Sequence, residues 1–188
     1  MINEIKIIFL DVDGVLNCST TLDRVNHNAG IEDEKVKLLK RVVDETGAVI
    51  VLTSSWKYFW FKNSEEKSKQ DIYGNYLDMK LAKEGLTIYD KTDDGNSFYR
   101  GMGIIKYLYY LYDNDIPYSN FVILDDNVFD YRETKLLDNL VCTNYKYGLT
   151  QNLVDKAIKI LSEINNKKRR GLIYGKTNKK STKWRSNL

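Results

Sequence analysis

Apolar residues fall in short unbroken runs separated by longer stretches of mixed polarity. Lys6-Ile7-Ile8-Phe9-Leu10 and Ala48-Val49-Ile50-Val51-Leu52 have strand length and no alternation, as expected for strands covered on both faces of a parallel sheet. Between them Val36, Leu38, Leu39, Val42 and Val43 keep a three-to-four spacing that predicts a helix, capped by Asp33 or a neighbour and closed by Gly47. Strand, helix and strand make one right-handed βαβ unit. The pattern blurs after Trp56 and returns with a short helix over residues 77–86 and a third strand, Leu86-Thr87-Ile88-Tyr89. A periodic helix follows over 101–111, then the strand Phe121-Val122-Ile123-Leu124 and an edge strand, Leu140-Val141-Cys142-Thr143. The last helix spans 153–164, with Val154, Ala157, Ile158, Leu161 and Ile164 on one face. The alternation predicts an α/β fold: an open, mostly parallel sheet of about five strands with helices on both faces.

With 188 residues, 43% hydrophobic and 29% charged, the chain has room for one full core and hardly for two. A net charge of +3 hides an asymmetry. Nine of the 29 basic residues lie in 167–188, where there is no acidic residue, leaving 20 against 26 acidic residues in 1–166. The reading is one domain over 1–166 and a basic tail over 167–188 opening with Lys167, Lys168, Arg169 and Arg170. Such a tail is either an arm for a polyanion or a solvated terminus. No apolar run reaches the ~18–20 residues that span a bilayer, and Met1-Ile2-Asn3-Glu4 lacks the features of a secretory signal, so no membrane partner and a cytoplasmic location are expected. Cys18 and Cys142, far apart and in no CxxC pair, read as free thiols. The single histidine, His27, reads as a loop residue and leaves no basis for a His-rich metal site.

The chemistry gathers at strand ends. Asp11 and Asp13 follow the first strand, Thr53 and Ser54 the second, and Asp125 and Asp126 the Phe121 strand. In an open α/β sheet ligands bind beyond the carboxyl ends of the strands. Four carboxylates converging there would repel one another unless a cation neutralised them, and hard oxygen donors select Mg²⁺. Asp-x-Asp-Gly alone is also a common turn; its occurrence together with the other strand-end residues is the specific feature.

Asp11-Val12-Asp13-Gly14-Val15-Leu16, Thr53 and Asp125-Asp126, each after an apolar strand, resemble motifs I, II and IV of the haloacid dehalogenase (HAD) superfamily of phosphohydrolases. Leu52-Thr53-Ser54-Ser55-Trp56, Arg100-Gly101, Val122-Ile123-Leu124-Asp125-Asp126 and Tyr147-Gly148-Leu149-Thr150 are similar more narrowly to the small HAD domains associated with bacterial and phage RNA-repair proteins. The resemblance covers residues 5 to about 161. It implies a Rossmann-like sheet, Asp11 as the nucleophile that forms an aspartyl-phosphate, and Asp13 as general acid and base. It also implies Thr53 and the Ser54 backbone N–H as phosphate contacts, and Mg²⁺ held by Asp11, the Asp13 main-chain carbonyl, Asp125 and Asp126. Its basic motif III residue is Arg100, preferred for its place near the start of the helix, or Lys106, and the Met102-Gly103 after Arg100 departs from the acidic pair of the closer relatives.

The HAD enzymes that act on small metabolites usually carry a cap domain. Here 17–30 reads as a loop, and 89–100 is too short for a cap, so an open site and a large substrate are expected: RNA or DNA ends, hydrolysed by a Mg²⁺-dependent phosphatase. The aromatic cluster Tyr58, Phe59, Trp60 and Phe61 either stacks on bases or belongs to the core. The alternatives are a phosphatase of nucleotides or other small phosphometabolites, and a non-catalytic module binding nucleic acid or protein.

Overall fold

The structure, a computed structural model, describes residues 4–93 and 98–163. In chain order its elements are β1 (Ile5–Leu10), a small hairpin of β2 (Arg24–Val25) and β3 (Asn28–Ala29), α1 (Asp33–Thr46), β4 (Val49–Leu52), α2 (Ser64–Lys67), α3 (Ile72–Ala82), β5 (Ile88–Lys91), α4 (Arg100–Asp113), β6 (Tyr118–Asp125), β7 (Leu140–Cys142) and α5 (Gln151–Ser162). Five strands form one sheet in the order β5-β4-β1-β6-β7, all in parallel pairs. β1 is central: Phe9 pairs with Val51 on one side and Ile123 on the other.

Unbroken apolar runs mark these strands because each face meets its own core. Ile8, Leu10, Ile50, Leu52, Val122 and Leu124 pack with Val36, Leu39 and Val42 of α1 and Val154, Ala157 and Leu161 of α5. Their alternates Ile7, Phe9, Val51, Phe121 and Ile123 pack with Ile104, Leu108 and Leu111 of α4. Phe9 sits edge-on to Tyr107 and Phe121, with centroids at 5.9 and 5.6 Å. Burying such side chains contributes about 1.5–3 kcal/mol each, so the doubly covered central strand fixes the register of its neighbours.

The third strand begins two residues later than expected. Leu86 instead belongs to the close of the preceding helix, its N–H donating to the Leu81 carbonyl at 3.0 Å. α1 ends as expected, with Gly47 left-handed and its N–H on the Val43 carbonyl. Its start differs: Glu32 occupies the cap position without a side-chain cap bond, because its carboxylate accepts from the Thr21 hydroxyl at 2.6 Å. Asp33 is drawn away by Lys80. α5 ends at Ser162, and Ile164 lies outside the described residues, as does the basic tail with Lys167, Lys168, Arg169 and Arg170.

The expected loop over 17–30 contains the β2–β3 hairpin, with His27 exposed in its turn. Among the described residues neither 17–30 nor 89–100 carries a cap domain, and no helix is long and apolar enough to cross a membrane. Cys18 and Cys142 are free. The aromatic cluster divides: Trp60 is buried and donates its indole N–H to Asp78 at 2.9 Å, while Tyr58 and Phe59 are exposed.

Candidate active site

The residues that follow the strands continue the hydrogen-bond ladder by one step. Asp11 N–H donates to the Leu124 carbonyl, Thr53 N–H to Leu10, Thr92 N–H to Leu52 and Thr143 N–H to Asp125, all at 2.8–3.0 Å. Parallel pairing therefore aligns Asp11, Thr53, Thr92 and Thr143 along the carboxyl end of the sheet, and all four are buried. Asp125, the last residue of β6, is fully buried beside them. Buried polar side chains require partners, and the contacts below supply them.

Arg100 bridges two of the carboxylates. Its guanidinium lies 2.7 Å from Asp11 Oδ2 and 2.8 Å from Asp125 Oδ2. Tyr131 donates its hydroxyl to the same Asp125 oxygen at 2.8 Å, and the Asn127 N–H caps the other at 2.9 Å. Burial, then the neighbouring Asp11, push the Asp125 carboxyl well above the ordinary range, against the pull of Arg100. Burial opposes the charge on Arg100, but Asp11 and Asp125 more than offset it and raise its pKa. Burial, followed by Asp125, likewise raises the Tyr131 phenol.

The loop after β6 aims the guanidinium. Asp130 accepts the Gly101 and Met102 N–H groups at 2.6 and 2.9 Å, satisfying the open start of α4, where Tyr99 gives no side-chain cap. The Phe129 ring lies 4.2 Å from the guanidinium carbon. Met102 thus occupies a position where the acidic pair of the resemblance is missing, and Asp130 supplies the cap from across the site.

Asp13 is held differently. Its Oδ1 accepts from the Asn17 amide at 2.8 Å and its Oδ2 from the Trp56 indole N–H at 3.0 Å, while Asp13 itself is exposed. Asn17 also accepts the Gly14 N–H at 2.8 Å, closing the turn. Gly14 has φ +73°, and a Cβ there would lie 2.3 Å from Asp126 Oδ2, so both the turn and the approach of Asp126 require glycine. Thr143 donates its hydroxyl to the Gly14 carbonyl at 2.6 Å.

Oxygens of Asp11, Asp125 and Asp126 come within 4.8 Å of one another. Burial, then Asp11, raise the Asp126 carboxyl as well. Three hard anionic donors facing one guanidinium leave an excess of negative charge, which fits a divalent cation such as Mg²⁺. The Asp13 carboxylate is outside this trio; its main-chain carbonyl is the atom that the resemblance assigns to the metal.

Thr53 accepts from the Thr92 hydroxyl at 3.3 Å. Ser54, not Thr53, caps the short 3-10 turn over Ser55–Tyr58, accepting the Trp56 N–H at 3.4 Å. Between the two basic candidates the structure distinguishes clearly: Arg100 sits on the carboxylates, whereas Lys106 is exposed and lines a cavity whose other walls contain none of the strand-end acids. The sequence reading missed Asn17, Tyr131, Phe129 and Asp130 and gave Trp56 no role toward Asp13. Each acts through a tertiary contact, and only the Asp13–Asn17 spacing, within one turn, carried a local signal.

An open parallel sheet whose central strand ends in an Asp-x-Asp-Gly turn, beside a second acidic strand end and a buried arginine, defines a HAD-like protein. Residues 7–154 match the model of the family described as HAD domain in Swiss Army Knife RNA repair proteins, and the chain belongs to that family. Comparisons with curated proteins and with solved structures gave no match. Membership supports a HAD phosphohydrolase.

Proposed function

We propose that the chain is a Mg²⁺-dependent phosphatase that acts on phosphorylated RNA or DNA ends through an aspartyl-phosphate on Asp11. The observation that carries this reading is the buried Asp11 carboxylate paired with Arg100 at 2.7 Å, two residues from an exposed Asp13 whose oxygens are both oriented by side-chain donors. Asp11 attacks phosphorus as the ester P–O bond breaks, and protonated Asp13 gives its proton to the leaving oxygen. Asp13 then takes a proton from water as that water attacks the acyl phosphate, releasing inorganic phosphate and restoring Asp11. Thr53 and the Ser54 N–H hold phosphoryl oxygens, and Arg100 balances the charge on them. Asp11, Asp125, Asp126 and the Asp13 carbonyl would hold Mg²⁺, which would supply Lewis-acid charge stabilisation when bound.

Nucleic-acid ends are favoured over small metabolites because the family's members are named for RNA repair and neither interval among the described residues carries a cap. Lys167, Lys168, Arg169 and Arg170 add phosphate contacts along the strand. The test is a phosphatase screen in Mg²⁺ containing 3′- and 5′-phosphorylated oligonucleotides, mononucleotides and sugar phosphates. Highest kcat/KM on oligonucleotides is expected. Preference for sugar phosphates would overturn the substrate assignment, and hydrolysis of none would overturn the enzyme.

A further inference from the structure

The cavity lined by Lys106, of about 450 Å³, opens at the β5 edge of the sheet, a volume within the range of small-ligand sites. We infer that it binds a nucleotide of a single-stranded polynucleotide next to the reacting end; this rests on the proposed function for its substrate class.

The cavity adjoins the strand-end site. Lys91 and Asp93, two of its walls, flank Thr92, whose hydroxyl meets Thr53 at 3.3 Å. From Arg100 to Lys106 the rise along α4 is roughly 9 Å, a span that a short stretch of strand covers.

Its walls divide into a fixed part and an unengaged part. Asp90 accepts from Lys62 at 2.9 Å and from the Tyr107 hydroxyl at 3.2 Å. Lys91 donates to the main-chain carbonyls of Lys57 and Trp60 at 2.9 and 2.6 Å. These groups are already hydrogen-bonded within the protein and shape the wall. Lys106, in contrast, is exposed and has no carboxylate within ion-pair distance among the described residues. Four residues on, and so on the same helix face, Tyr110 is 51% exposed and its ring centroid lies 6.0 Å from that of Tyr107.

An exposed aromatic residue beside a second ring, with a spare ammonium one turn away, matches the stacking and phosphate contacts by which proteins hold single strands. Asp93 adds an acceptor for a sugar hydroxyl. An acidic peptide would use the ammonium but leave the ring without a stacking partner.

The test measures binding apart from catalysis, by fluorescence anisotropy of a labelled uridine octanucleotide lacking terminal phosphates, using the full chain. Tyr110→Ala and Lys106→Ala are each expected to weaken binding about tenfold, with Tyr110→Phe retaining wild-type affinity and Lys106→Ala lowering the salt slope by about one. Equal affinity in wild type, Tyr110→Ala and Lys106→Ala, no binding by wild type, or displacement by poly-glutamate as effective as by unlabelled RNA would overturn the site. Weakened binding in these variants together with no phosphatase activity in the wild type would leave the site standing and remove the proposed function.

Discussion

Two clusters in this molecule share a composition, one buried cation between two carboxylates, and differ in how far water reaches those carboxylates. Arg100 bridges Asp11 and Asp125, whose side chains are 3% and 0% exposed. Lys80 bridges Asp23 at 2.8 Å and Asp33, which are 42% and 51% exposed. In the second cluster the bond from Lys80 outweighs slight burial and lowers both carboxyls. In the first, burial outweighs Arg100 and Asp125 is raised. Water completes the solvation of Asp23 and Asp33, so their cluster is a fastening between the 17–30 segment and α3. At the sheet end Asp11 and Asp125 are buried, and with Asp126 close by the negative charge exceeds what one guanidinium balances. The same ingredients become a hydrated tie in one place and a concentration of buried negative charge in the other.

Activity should separate the clusters most sharply. Asp11→Asn is expected to lower kcat by several orders of magnitude while circular dichroism and Tm show a retained fold. Its counterpart Asp33→Asn should keep kcat within about twofold, and a comparable loss there would erase the distinction. EDTA should abolish turnover and Mg²⁺ restore it. Mg²⁺ should also raise Tm in wild type and less in Asp126→Ala, because a ion bound to the native state alone stabilises it. Turnover persisting in EDTA would refute the metal assignment.

Stability gives a smaller contrast. Arg100→Met strands buried carboxylates, at a cost of about 3–5 kcal/mol. Lys80→Met leaves carboxylates that water can reach, so it is expected to cost less than Arg100→Met. At roughly 2–4 °C per kcal/mol for a chain of this size, thermal melts should resolve the two; equal shifts would contradict the role given to burial. The least effect concerns acid. The folded pKa values of Asp23 and Asp33 lie below the ordinary 3.8, so the unfolded chain takes up protons first as pH falls. Their stabilisation is present above about pH 4 and is lost as pH drops through the lowered values. Melts of Lys80→Met against wild type should converge below that range and diverge above it.

The central strands and all the strand-end acids were legible because covered strands write themselves as unbroken apolar runs and their ends fall where polarity returns. β5 was legible only approximately. As an edge strand it carries Asp90 and Lys91, and its polar half does not look like a strand in isolation. Position near the start of the helix favours Arg100 over Lys106 without deciding between them; packing against Phe129 and Asp130 separates them. Trp56 and Asn17 carry no sign in the sequence of their bonds to Asp13, since what they do is set by where Asp13 comes to rest.

Asp130 caps α4 from the loop that follows Asp125, so a single connecting segment governs both a carboxylate and the cation that answers it. Exchange of residues 127–134 between relatives could therefore silence or retune this centre while leaving all its acids in place. A lineage could lose the chemistry and keep the motifs, and an inventory of acidic residues would count the descendant among the enzymes. The loop, more than the aspartates, is the part of this chain whose variation deserves to be tracked when members of the family are sorted into active and inactive forms.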